Sequence, residues 1–201
     1  MLSYQQIPAS KKAVVFDLDD TLIPQKDYDL QVYYLFANFI EYLATFPPAK
    51  DMLAFMEKRY YAHGQKGMFE EVQQTFGIES KYQENLKLLF SNAKLPLKLL
   101  LFKEALALMQ ELVVNRIAIF ILTAGNAQQQ LNKIRQTEWN GLDQYLKVYF
   151  ADEYQSEHDA LNVLMKENGF KSDELLLIGN SEIRKKLATN SKVDFLTFLQ
   201  A

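Results

Sequence analysis

The sequence predicts an α/β protein in which a parallel sheet alternates with helices and is interrupted once by an all-helical insertion. Three observations support this: short apolar runs recur along the chain, amphipathic segments separate the later runs, and a long stretch of helical periodicity follows the first run. A chain of 201 residues is long enough for one domain that carries such an insertion.

The first apolar run, 13–16, is predicted to be a buried strand because every residue in it is apolar. The other predicted strands are 117–122, 146–150, 175–178 and, more weakly, 193–196. The predicted helices are 102–114, 127–137, 157–168 and 181–188. Strands that alternate with helices favour a parallel sheet.

The insertion breaks this alternation. Apolar and aromatic residues recur in it at helical spacing, and Pro47, Pro48 and several glycines punctuate the run, so about four helices are predicted. They are too many to lie on a five-stranded sheet. We therefore predict a core domain formed by 1–23 and 95–201 and a helical domain formed by 24–94. Its aromatic residues are interpreted as its own hydrophobic core rather than a cofactor site.

Composition excludes several classes of function. The net charge is −3, so no basic excess favours nucleic acid or an anionic membrane. The absence of cysteine and the presence of only two histidines exclude a disulfide framework, a thiolate metal site, a cysteine nucleophile and a multi-histidine metal cluster. No secretory signal or membrane-spanning stretch is recognisable, so we expect a soluble cytoplasmic protein. The oligomeric state is not predicted.

Acidic residues follow the first strand in the run Asp17-Leu18-Asp19-Asp20-Thr21-Leu22. In an extended segment, Asp17 and Asp19 project in the same direction. They stand at the carboxyl end of a parallel strand, where open sheets bind their ligands. Two crowded carboxylates repel unless a cation relieves them, and Mg²⁺ prefers oxygen ligands. The alternative is that these residues only end the strand and cap a turn.

At these residues the sequence resembles the haloacid dehalogenase-like hydrolase superfamily, whose first motif is Asp-x-Asp-x-Thr-Leu. The resemblance implies a Rossmann-like core, Asp17 as the nucleophile that forms an aspartyl-phosphate, and Asp19 as general acid and base. It also implies Mg²⁺ as cofactor, with Asp17, Asp19 and Asn180 as its ligands. Members that act on carbon–halogen bonds usually lack the second Asp, so Asp19 favours phosphoryl transfer.

The family's second motif is a Thr or Ser that ends the next core strand, and Thr123 matches it. The resemblance implies that Thr123 hydrogen-bonds a phosphate oxygen, and that Leu18, Ala124 and Gly125 help to bind the phosphate. Backbone N–H groups near a helix start suit an anion. The alternative is that Thr123 caps the following helix.

The insertion resembles the helical cap that many members carry after the first motif, which closes over the site, excludes water and selects the substrate. Tyr28, Tyr33, Tyr34 and His63 are candidates for its inner face, and the sequence does not select among them.

The fourth motif departs from the family pattern. Its usual Gly-Asp is Gly179-Asn180 here, and the later acidic position falls on Ile183 or Arg184. An uncharged ligand at Asn180 should lower the affinity for Mg²⁺. Glu182 is an alternative ligand, although Asn or Ser before a first-turn Glu is also ordinary helix-start chemistry.

The third motif normally offers a Lys that neutralises the nucleophile and the phosphate, and 151–161 contains no Lys or Arg. Glu157 or His158 takes the matching position. His158 could carry a positive charge or be a solvated residue. The basic run of Arg184, Lys185 and Lys186 is interpreted as a solvated face. Because one carboxylate and one ammonium are lost together, we hypothesise that the two departures are linked.

These features predict a Mg²⁺-dependent phosphatase of a small phosphorylated metabolite, acting through an aspartyl-phosphate. One alternative is a catalytically impaired relative that binds a phosphate ligand or a protein partner. Another is a phosphomutase, which would use the same Asp17 and Asp19. A receiver-type signalling domain fits less well, because its phospho-acceptor follows a middle strand.

Overall fold

The computed structural model describes residues 3–198 and divides into two compact units. One unit combines the chain up to Gln25 with the chain from Leu99 onward, and the other comprises Lys26–Lys98. The first unit is an α/β domain and the second is helical.

The α/β unit contains a sheet of five parallel strands in the order β5-β3-β1-β6-β7. The strands are β1 (Ala13–Phe16), β3 (Ala118–Thr123), β5 (Leu146–Phe150), β6 (Leu175–Gly179) and β7 (Asp194–Thr197). The predicted α/β fold class and the five predicted strands are confirmed. The ends differ from prediction by a residue at most.

Four helices connect these strands: α5 (Lys103–Val114), α6 (Ala127–Gln136), α7 (Glu157–Asn168) and α8 (Glu182–Ser191). On one face of the sheet, alternate strand residues such as Val15, Phe120 and Leu177 pack with Leu161 of α7 and Leu187 of α8 in one buried cluster. Every residue of β1 and β6 is buried, which explains why these strands read as unbroken apolar runs.

A second, two-stranded parallel sheet joins β2 (Leu99–Leu100) to β4 (Thr137–Glu138). Neither strand was predicted from the sequence. Each has two residues, which is too short for the alternation or apolar run by which a strand is recognised.

The helical unit consists of α1 (Gln25–Ala44), α2 (Ala49–His63), α3 (Met68–Phe76) and α4 (Tyr82–Asn92). The expectation of about four helices is confirmed. Its aromatic residues pack on one another: Tyr33 makes edge contacts with Tyr60 and Phe90, and the Tyr28 hydroxyl donates to the carbonyl of Phe90. These aromatic residues therefore form part of the hydrophobic core of the helical unit.

Among residues 3–198, no helix combines the length and apolar character needed to cross a membrane.

Candidate active site

Asp17 lies at the centre of the sheet edge where the parallel strands end. It follows β1, which pairs with β3 on one side and β6 on the other. Its backbone N–H donates to the carbonyl of Ile178 at 3.0 Å, so the residue is still tied to β6. Thr123 ends β3, and Asn180 follows the last residue of β6. The register thus brings Asp17, Thr123 and Asn180 to the same edge.

The chain turns back immediately after Asp17. The N–H groups of Leu22 and Ile23 both donate to the carbonyl of Leu18, and the N–H of Asp20 donates to Ile23 at 2.7 Å. Asp20 adopts a positive φ of 52°, a conformation in which Asp is tolerated better than most residues. Its Oδ1 accepts the N–H of Gln25 at 2.9 Å. The turn holds three carboxylates, those of Asp17, Asp19 and Asp20, close to the sheet edge.

Arg184 binds the Asp17 carboxylate with two hydrogen bonds. Its Nε donates to Oδ2 and its Nη2 to Oδ1, each at 2.8 Å. This is the bidentate fork in which a guanidinium binds a carboxylate most specifically. Arg184 is 5% exposed. The prediction that Arg184 lies on a solvated face is therefore wrong, whereas its neighbours Lys185 and Lys186 are exposed.

Glu157, at the start of α7, holds the other side of the same guanidinium. Its Oε2 accepts from Nη1 of Arg184 at 2.8 Å. Burial lowers the pKa of Arg184, but the hydrogen bonds and negative charges of Asp17 and Glu157 outweigh burial and raise it overall. The guanidinium is therefore a positive charge held beside Asp17, in a chain whose segment 151–161 contains no Lys or Arg.

Local sequence explains how the Arg184 side chain reaches Asp17. Ser181 is the N-cap of α8, and its hydroxyl accepts the N–H of Arg184 at 3.2 Å. Gly179 leaves the space beside it: a Cβ at this residue would lie 3.1 Å from Cβ of Arg184 and 3.2 Å from Cγ. The absent side chain of Gly179 lets the arginine pass close to the end of β6.

Asp19 is held by two residues of α6. Nζ of Lys133 lies 2.8 Å from both carboxylate oxygens, and Nε2 of Gln130 donates to Oδ2 at 2.9 Å. Lys133 is 1% exposed, and its Nζ also donates to Oε1 of Gln25 at 2.6 Å. Both carboxylates of the first motif are thus ion-paired, Asp17 with α8 and Asp19 with α6.

Thr123 offers an unused hydroxyl to the site. Its side chain is 1% exposed, and Oγ1 has no hydrogen-bond partner among the described residues. A buried hydroxyl without a partner is costly unless a ligand supplies one. The next turn is organised around Gln130, whose Nε2 donates to the carbonyl of Ala124 at 2.7 Å, while Gly125 takes a positive φ of 93°.

The predicted metal ligands fit Mg²⁺ in the kind of atom that they offer. Asp17 and Asp19 supply carboxylate oxygens, and the amide of Asn180 donates its Nδ2 to the carbonyl of Asp20 at 2.9 Å, which leaves Oδ1 as its acceptor. Among residues 3–198, no three His, Asp or Glu side chains are grouped so that they could hold a metal, so a site here would need the amide of Asn180 beside the two carboxylates. The carboxylates of Asp17, Asp19, Asp20 and Glu157 outnumber the two buried cations, so the edge keeps an acidic excess that suits a divalent ion.

The remaining candidates are described by their exposure within their own unit. Glu182 begins α8 with a side chain 81% exposed, consistent with an ordinary helix start. His158 is exposed, and its ring pairs with Asn162 at 3.0 Å. In the helical unit, His63 is exposed and Tyr34 is partly exposed, while Tyr28 and Tyr33 are buried.

Comparison with protein families agrees with this geometry. The family model described as haloacid dehalogenase-like hydrolase matches residues 14–198. The chain belongs to this family. A comparison with curated proteins found no sequence that matches this haloacid dehalogenase-like hydrolase.

Solved structures share its fold. A protein of Bacillus subtilis described as the HAD hydrolase YfnB bound to magnesium has a TM-score of 0.63 and 16% identity, covering 92% of this chain and 85% of its own. A protein of Thermotoga maritima described as a β-phosphoglucomutase has a TM-score of 0.65 and 14% identity, covering 94% and 86%. CbbY of Rhodobacter sphaeroides, in complex with xylulose bisphosphate, has a TM-score of 0.56 and 11% identity, covering 95% and 87%. At these identities the likeness concerns the fold.

Proposed function

We propose that this haloacid dehalogenase-like hydrolase is a phosphoric monoester hydrolase that acts on a small phosphorylated metabolite. The observation that carries the proposal is the position of Asp17, at the centre of the sheet edge between Thr123 and Asn180, with an unused hydroxyl on the Thr123 side. This arrangement favours binding of an anionic ligand that approaches the Asp17 carboxylate from the carboxyl ends of the strands.

The proposed reaction has two steps. A carboxylate oxygen of Asp17 attacks phosphorus, the ester P–O bond breaks, and the leaving alkoxide takes a proton from Asp19. Water then attacks the aspartyl-phosphate and releases inorganic phosphate, with Asp19 taking the proton. One water is consumed, and the products are an alcohol and phosphate.

Each step sets a requirement on the observed contacts. At least one of the two hydrogen bonds from Arg184 to Asp17 has to break before a carboxylate oxygen of Asp17 can attack phosphorus. Asp19 has to be released by Lys133 before it can carry a proton, because both of its oxygens accept from that ammonium. Mg²⁺, held by Asp17, Asp19 and Asn180, would supply positive charge that offsets the acidic edge and the phosphate.

The same contacts support a second candidate, the catalytically impaired relative that binds a phosphate ligand. Two ion-paired carboxylates and an Asn in place of an Asp leave a site that binds anions through Arg184 and Thr123 without efficient turnover. Charge arranged for the transition state is often the largest catalytic contribution, so its loss would reduce turnover more than binding.

The experiment is phosphate release from an aryl phosphate and from a panel of phosphorylated metabolites, with and without Mg²⁺. Asp17→Asn is the test variant, and Asp143→Asn, an exposed residue at the opposite end of β5, is the matched control. We expect Mg²⁺-dependent turnover in the wild type and the control and none in Asp17→Asn. Turnover that survives in Asp17→Asn would contradict the nucleophile, and a folded wild type without turnover would favour the second candidate.

A further inference from the structure

Arg184 has hydrogen-bonding capacity that its protein contacts do not use. A guanidinium carries five N–H donors in a planar fork. Within residues 3–198, three of them are engaged: Nε and one N–H of Nη2 bind Asp17, and one N–H of Nη1 binds Glu157. One N–H on each of Nη1 and Nη2 remains. These two groups lie at the edge of the fork, next to the carboxylate that the proposed reaction uses.

The burial of Arg184 indicates a purpose other than surface solvation. Its side chain is 6% exposed, so it loses most of its hydration, while Asp17 keeps 14% exposure and Glu157 29%. A buried cation is costly unless its N–H groups are satisfied. The acidic residues around it satisfy part of this requirement, and an oxyanion would satisfy the rest.

Three residues, Gly179, Ser181 and Glu157, fix the position of the Arg184 side chain. A Cβ at Gly179 would lie 3.1 Å from Cβ and 3.2 Å from Cγ of Arg184, and Ser181 fixes the first turn of α8. Glu157 then fixes the far end of the guanidinium from α7. Arg184 is therefore held from the backbone outward.

We propose that Arg184 is a phosphoryl-binding residue, which exchanges part of its contact with Asp17 for the oxygens of the substrate's phosphoryl group. Glu157 and Gly179 are its positioning residues. The inference rests on the proposed function for its substrate class, a phosphate monoester, and assigns to α8 the cation that the sequence lacks near the start of α7. The exchange frees an oxygen of Asp17 at the moment when the phosphoryl group arrives.

The test measures binding of inorganic phosphate by calorimetry to the full chain, with and without Mg²⁺, in the wild type, Arg184→Gln, Arg184→Lys and Gly179→Ala. Lys185→Gln, the exposed neighbour on the same helix, is the matched control. We expect Arg184→Gln to weaken phosphate binding roughly ten- to hundredfold, as for lost hydrogen bonds to a charged group. Arg184→Lys should weaken phosphate binding less, because lysine keeps the positive charge but lacks the planar set of N–H donors. Gly179→Ala should also weaken binding, because it displaces the side chain.

Two further readouts separate binding from folding and from the metal. Thermal unfolding establishes that each variant is folded, and Arg184→Lys remains informative if Arg184→Gln does not fold. Direct Mg²⁺ titration should show affinity in Arg184→Gln that is equal to or tighter than that of the wild type, because a competing cation has been removed.

The outcomes distinguish this inference from the proposed function. Phosphate binding that depends on Arg184 in a protein without turnover supports the inference and contradicts the hydrolase. Phosphate binding unchanged in folded Arg184→Gln or Arg184→Lys overturns the inference, even if turnover persists. A wild type that does not bind phosphate under either condition also overturns it.

Discussion

Lys133 contacts both carboxylate oxygens of Asp19 at 2.8 Å from a position on α6 that is 1% exposed. Asp19 itself is more accessible, with a side chain 25% exposed. The pair thus couples a buried lysine to the carboxylate assigned to proton transfer. It also ties α6 to the turn that follows β1, so it contributes to stability as well as to the site.

Replacing Lys133 with Met should destabilise the protein. The variant keeps the length of the side chain but removes the ammonium, so Asp19 loses this ion pair and keeps its hydrogen bond from Gln130. We expect the free energy of unfolding to fall by about 1.5–3 kcal/mol, the range for hydrogen bonds to charged groups. Urea denaturation at neutral pH measures it.

Lys166→Met is the matched control, because Lys166 is exposed on α7. An exposed substitution of this kind should change stability by no more than about 0.5 kcal/mol. Equal effects of the two substitutions would show that the contact between Lys133 and Asp19 contributes no stability.

Asn180→Asp should tighten Mg²⁺ binding at the acidic edge. The substitution adds a carboxylate beside Asp17 without adding length, and charge count is a main determinant of affinity for hard cations. We expect an increase of at least about tenfold, equivalent to about 1.4 kcal/mol. Calorimetric titration with Mg²⁺ measures it.

The same substitution should lower stability when no metal is added. The Nδ2 of Asn180 donates to the carbonyl of Asp20, and a carboxylate oxygen at that position would face the carbonyl oxygen with no proton between them.

Asn190→Asp is the control for Mg²⁺ binding, because it makes the same change of charge at the exposed end of α8, away from the site. Mg²⁺ affinity that is the same in both variants and the wild type would place Asn180 outside the metal site.

Much of the fold could be predicted because its strands are chemically simple. All residues of β1 and β6 are buried on both faces, so their apolar runs stand out between polar turns. The paired strands β2 and β4 could not be predicted from the sequence, because a strand of two residues shows no periodicity. The first-motif carboxylates were located correctly at a strand end, while their ion-pair partners were not.

Arg184 was missed because it begins a basic run, and basic runs usually lie in solvent. The usable signal was helical spacing: Arg184 precedes the buried Leu187 and Ala188 by three and four residues, so it shares their face. Neither Lys185 nor Lys186 has buried residues both three and four positions later, and both side chains are exposed.

Lys133 was harder to identify. The fully buried positions near it on α6 and just beyond are Gln130, Lys133 and Thr137, all polar. A helix whose inner stripe is polar has no apolar stripe to mark its buried face. The partners of Lys133, which include Asp19 and Gln25, explain why these polar residues face inward, and both are distant from it in sequence.

Asp20→Asn should stabilise the protein at neutral pH. Burial raises the pKa of Asp20 above the usual value for an aspartate, and the nearby charges of Asp19 and Asp17 act in the same direction, while the N–H of Gln25 and the charge of Lys133 oppose them. An acid whose pKa is higher in the folded state contributes its full stability below the unfolded pKa and loses it as the pH rises through the folded pKa. The ionised carboxylate is therefore a net cost at neutral pH.

Asn removes that charge and keeps an oxygen for the N–H of Gln25, and it tolerates the positive φ of 52° at least as well as Asp. We expect a gain in stability at pH 7 that shrinks when the measurement is repeated at acidic pH, because Asp20 then becomes protonated. Urea denaturation at both pH values measures it, with the exposed Asp143→Asn as the control. A difference from the wild type that does not change with pH, or that grows as the pH falls, would contradict the assignment of this pH dependence to Asp20.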